Sequence, residues 1–92
     1  MNFYIVSYDL KNPGRDYTAL YDAIKSIGEW QHPLESVWIV ATNTCNENSI
    51  YEKVKPELDP NDLLLIFKIE PKKRQGWLAK SFWTWMKTKT EE

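Results

Sequence analysis

Among the 92 residues of this chain, Asp9 is the side chain best placed to do chemistry. It closes the run Asn2-Phe3-Tyr4-Ile5-Val6-Ser7-Tyr8, which reads as a strand, and it precedes the turn-forming Lys11-Asn12-Pro13-Gly14. A carboxylate there is held rigidly by a core strand and still reaches solvent. It could hold Mg²⁺ or Mn²⁺, but hydrolysing a phosphodiester with either ion takes more than one oxygen donor. A twofold axis beside the first strand would bring Asp9 together with its symmetry mate, so that a homodimer completes the site. The other reading of Asp9 is a strand terminator that bonds backbone groups in its own turn, and Tyr8 shares both readings.

The remaining reactive side chains are more isolated. His32 is the single histidine and precedes Pro33; with no second histidine or neighbouring cysteine it reads as structural rather than as a zinc ligand, although general base catalysis needs only one imidazole. Cys45 sits between Thr44 and Asn46 with no basic neighbour to favour its thiolate, which argues against a cysteine nucleophile. A lone cysteine also excludes an intrachain disulfide and fits a reducing, cytoplasmic compartment. The three glycines, at 14, 28 and 76, are too scattered to form a phosphate-cradling loop.

These residues are carried by a chain of one-domain length with five tryptophans and five tyrosines, large units of buriable area that argue against disorder. No stretch approaches the roughly 20 apolar residues of a membrane span, and the N-terminus lacks the pattern of a secretory signal. Net charge is −1, but unevenly placed. Five Lys/Arg face ten Asp/Glu up to Phe67, a balance of −5, whereas Lys68 to Glu92 holds seven against three, a balance of +4. The basic tail either pairs with an acidic surface of its own or a partner subunit, or binds phosphates.

The elements follow from spacing and punctuation. Tyr17, Leu20, Tyr21, Ile24 and Ile27 recur at helical intervals up to Gly28, with either Asn12 before Pro13 or Asp16 as the cap. Pro33 limits residues 29 to 35 to an edge strand or irregular segment. Val37 to Thr42 is a clear strand, and Ser49 with Glu52 suggests a capping box for a second helix lined by Ile50, Val54 and Leu58 and ended by Pro56. Leu63 to Ile69 reads as a last core strand. A right-handed crossover in each half makes the order strand, helix, two strands, helix, strand an α+β, ferredoxin-like βαββαβ sandwich over residues 1–70.

Strands one, three and four are apolar at both parities, so both sheet faces need cover. Two helices cover one; the other falls to the segment after residue 70, to a second subunit, or to both. Residues 71–92 form a basic, Trp-rich extension in which Leu78, Phe82, Trp85 and Met86 share one helical face. Trp77, Phe82, Trp83 and Trp85 either close a core or dimer interface or stack nucleic-acid bases beside Lys72, Lys73, Arg74 and Lys80.

Tyr8-Asp9 closing the N-terminal strand, an Arg-containing loop, a helix ending at Gly28 and Glu35-Ser36-Val37-Trp38 opening the third strand together resemble the small CRISPR-associated adaptation subunit (CRISPR-associated protein two). Its superfamily includes the virulence-associated protein D toxins, and the resemblance spans roughly residues 2 to 70. It implies a ferredoxin-like homodimer in antiviral defence whose strand-one aspartates, here Asp9, support Mg²⁺- or Mn²⁺-dependent cleavage of RNA or DNA. Ser36 falls in the family's Ser-Val-aromatic element, and Tyr8, Arg15 and Ser36 would shape the phosphate site. The Trp-rich tail departs from the family's usual extra strand, which suggests a stand-alone relative. Two functions follow: a metal-dependent endonuclease, acting on RNA, or a non-catalytic dimeric module binding a nucleic acid, a nucleotide or, through its tail, another protein.

Overall fold

A computed structural model describes residues 1–90; the last two positions of the expected C-terminal extension lie outside the described residues. Among the described residues the chain is an α+β domain with a four-stranded antiparallel sheet and three helices. In chain order these are β1 (Asn2–Asp9), α1 (Thr18–Lys25), β2 (Glu29–Leu34), β3 (Val37–Thr42), α2 (Glu47–Val54), β4 (Leu63–Ile69) and α3 (Lys80–Lys89). The strands lie in the order β2-β3-β1-β4. No helix of the described residues is long and apolar enough to cross a membrane.

The two parities of β1 build two cores. Tyr4, Val6 and Tyr8 face α1 and α2, where they meet Leu20, Ile24, Ile50, Val54, Leu58, Trp38 and Val40. Phe3 and Ile5 face the other side, where Ile39, Ala41 and Ile69 meet Leu78, Phe82, Trp85 and Met86. The Phe3 and Trp85 rings lie edge to face at 6.2 Å, an arrangement that suits their quadrupoles. The C-terminal helix therefore covers part of the second face within one protomer.

Local chemistry sets the boundaries. At the start of α1 the Asp16 carboxylate accepts the Thr18 backbone N–H at 2.9 Å, while residues 12 to 15 form a turn in which the Arg15 N–H reaches the Asn12 carbonyl; the later of the two expected starts is the real one. The cap of α2 differs from expectation. Asn46 accepts the Ser49 N–H and Ser49 Oγ accepts the Asn46 N–H, both at 2.9 Å, so the helix starts earlier, with Ser49 as the reciprocal partner rather than the cap. Pro56 lies in a 3₁₀ turn, Lys55–Glu57, just past the end of α2.

β2 is an edge strand whose register with β3 slips between Gln31 and Leu34, around Pro33. β4 corrects the expectation of a core strand. It forms the opposite edge, and Leu63, Leu65 and Phe67 on its second face are 59, 49 and 61% exposed, because α3 packs only toward the Phe3–Ile69 end of the sheet. An uncovered apolar patch remains at the Asp9 end.

Candidate functional site

The chain reversal between β2 and β3 brings residues 32 to 36 beside the end of β1. The Tyr8 N–H bonds to the Ser36 carbonyl at 3.1 Å, extending the strand contact into the turn. The Tyr8 hydroxyl donates to the Glu35 carbonyl at 3.2 Å and accepts from Trp38 Nε1 at 2.9 Å. Burial pushes the Tyr8 phenol above its ordinary value, because the phenolate would lose its hydration. Both hydrogen-bonding roles of the hydroxyl are thus taken, and Tyr8 pins the turn to the core.

His32 lies flat on the buried Trp38 indole, ring centroids 3.9 Å apart and planes 13° from parallel. Its Nε2 is 2.9 Å from the same Glu35 carbonyl; since a carbonyl only accepts, Nε2 carries the hydrogen. Tyr21 from α1 packs beside the same pair, 6.0 Å from Trp38 and 6.3 Å from His32, and Trp30 packs against Trp38 at 5.3 Å with Lys25 over the Trp30 ring. Beside this cluster a groove is bordered by Tyr8, Asp9, Leu10, Tyr21, His32, Glu35 and Ser36.

Asp9 itself is 61% exposed and ion-paired to Lys11 at 2.7 Å. Its position in the register, opposite Leu63, places it on the sheet face away from α1 and α2. It borders a shallow depression with Ser7, Leu63 and Leu65 as well as the aromatic groove. Among the described residues no three His, Cys, Asp or Glu side chains gather as a metal cage. Asp9 is already shared with an ammonium group and the groove adds only Glu35, so one copy of the chain offers at most two carboxylates there and does not by itself form a cage for Mg²⁺ or Mn²⁺. Further oxygen donors would have to come from a second copy, a substrate phosphate or water.

The other expected residues are dispersed. Arg15 pairs with Asp59, donates to the Glu57 carbonyl at 2.9 Å and lies over the Tyr17 ring, which ties the first loop to the loop before β4 rather than leaving the guanidinium for a phosphate. Ser36 is exposed on the groove's rim. Lys72, Lys73 and Arg74 follow β4 at the end of the sheet near Phe3, about 20 Å from Asp9 by the rise of six strand residues. There Lys72 and Lys73 line an open cleft with Lys68 and Lys89, two of these lysines pairing with Glu70 and Glu29. Phe82, Trp83 and Trp85 pack on the second face of the sheet, whereas Trp77 is 99% exposed.

Sequence reasoning missed His32, Glu35 and Tyr21 as neighbours of Asp9. The available signal was the spacing of Trp30 and His32, two residues apart on an edge strand and so on one face. No protein-family model, curated protein or solved structure matches the chain.

Proposed function

We propose that the chain works as a homodimeric endoribonuclease of the kind implied by its resemblance to the small CRISPR-associated adaptation subunit, on a ferredoxin-like βαββαβ scaffold. The observation that supports this most is the position of Asp9. One carboxylate borders both the aromatic groove and the uncovered apolar patch of Leu63, Leu65 and Phe67. A second copy seated on that patch buries three large apolar side chains, and it carries its own Asp9 to the rim of the same interface. Two carboxylates then meet next to a groove open to a base of an RNA strand, adding to the donors that one copy offers Mg²⁺ or Mn²⁺.

Cleavage of labelled single-stranded RNA, run with Mg²⁺ or Mn²⁺ and with EDTA, tests the reading. Wild-type protein is expected to cut only with the metal, and Asp9→Ala, purified identically, is expected to be inactive. Equal cutting by both proteins would discard Asp9 as the active carboxylate.

A second reading is favoured by Trp77. A fully exposed indole within five residues of Lys72 and Lys73 fits a dimeric module that binds a nucleic acid without cutting it, the ring stacking on a base and the ammonium groups meeting phosphates. Under this reading RNA binding survives Asp9→Ala and is lost in Trp77→Ala.

A further inference from the structure

We propose that the groove between α1 and the β2–β3 turn is a guanine site, in which the base lies on the open face of His32 and its Watson–Crick edge meets the Glu35 carboxylate. The proposal rests on the reading of the chain as an RNA-acting protein and names the base it selects.

The floor of the groove is built for stacking. Trp38 covers one face of the imidazole, the hydrogen bond from Nε2 to the Glu35 carbonyl fixes its rotation, and His32 is exposed and borders the groove, so the ring is held ready with its other face open. A preset platform loses little conformational freedom when a base lands on it. Tyr21, 6.3 Å from His32 and tilted by 41°, stands too close for a base to slide between the two rings, which directs the base onto the outer face.

The polar rim then selects among bases. Its charged groups are carboxylates: Asp9, engaged by Lys11, and Glu35, whose carboxylate has no hydrogen bond or ion pair among the described residues. A rim of acceptors repels phosphate and suits a ligand rich in N–H donors. Of the four RNA bases, guanine alone presents two adjacent donors, N1–H and the N2 amino group, which match the two oxygens of one carboxylate. A bidentate contact of this kind is worth roughly 1–3 kcal/mol of discrimination, about five- to 150-fold. The Glu35 backbone is anchored by Tyr8 and His32 through its carbonyl, which fixes the point on the groove's rim from which the side chain leaves.

The chain has one histidine, so its imidazole proton signals report on this site alone. Titration of the full chain with guanosine, adenosine, cytidine and uridine 5′-monophosphates, followed by those signals, is expected to show saturable shifts with guanosine monophosphate and at least about fivefold weaker binding of the others. Glu35→Gln is expected to remove the preference, since an amide offers one acceptor where guanine needs two. His32→Phe keeps a stacking ring and is expected to retain the preference, read for this variant by titration calorimetry because it carries no imidazole. A single-stranded RNA with one unpaired guanine, beside the same RNA with adenine there, tells whether the base is taken from a free nucleotide or a chain. Equal shifts with all four nucleotides, no shift with any guanine ligand, or a guanine preference that persists in Glu35→Gln would overturn the proposal. Guanine-selective binding without cleavage would leave it standing and remove the nuclease reading, and cleavage without guanine-selective binding would do the reverse.

Discussion

At the scale of single residues, Tyr8 carries an unusual share of the site's geometry. Replacing it with Phe removes the acceptor of a buried indole N–H and one of two donors on the Glu35 carbonyl. An unsatisfied buried donor costs about 1–3 kcal/mol, so Tyr8→Phe is expected to lower the urea midpoint accordingly, with broadened His32 signals as the turn loosens. Asp62 plays the matching role at the loop before β4. Burial alone would push its carboxyl up, but the N–H groups of Lys11 and Asp59, the Tyr17 hydroxyl and the Arg15 charge outweigh that and hold it below the ordinary value. A carboxyl with a lowered folded-state pKa contributes stability that is fully present above its unfolded value, about 3.9, and is lost as pH falls through the folded value. Asp62→Asn is therefore expected to flatten the decline of the unfolding midpoint below about pH 4. Asp9 was legible in the sequence because a strand, an acid and a turn follow one another. The partners His32 and Glu35 were not, because only the β2–β3 register and the stacking on Trp38 bring them to it.

At the scale of elements, the close approach at Gly28 joins α1 to β2. A Cβ there would sit 2.3 Å from the Ala41 carbonyl oxygen, a backbone atom that moves only with β3. Gly28→Ala is expected to destabilise the fold by about 1–3 kcal/mol, the usual range for a forced backbone shift, measured by denaturant unfolding. The helical spacing of Leu20, Tyr21 and Ile24 and the β-branched and aromatic runs of β1 and β3 make these elements readable from residue order alone. The start of α2 was misread because Asn46 and Ser49 are both able caps, and only the closed pair of hydrogen bonds shows which one begins the helix. β4 was misread for a different reason: its composition is that of a buried strand, while its exposure depends on how far α3 reaches along the sheet. Helical spacing identified the inner face of α3 but carried no information on that reach, nor on Trp77, which precedes the helix and points away from it.

At the scale of the molecule, the uncovered half of the second face is the feature that the proposed dimer requires. Leu65→Asp is expected to shift sedimentation from dimer to monomer while leaving the circular dichroism spectrum unchanged, since Leu65 is half exposed in the protomer and makes little of its core. A monomeric wild type would remove the shared-carboxylate site. The same layout has a consequence for the chain as it is made. β1 pairs with β3 on one side and with β4 on the other, and its second face is then roofed by α3. A ribosome delivers β1 before β3, β4 and α3, so Phe3 and Ile5 are made well ahead of Phe82 and Met86, which shelter them. Because domains form as units during synthesis, a nascent chain paused before β4 presents an open strand edge and an apolar face to its surroundings. Such a chain is a natural client for a chaperone until the last helix emerges.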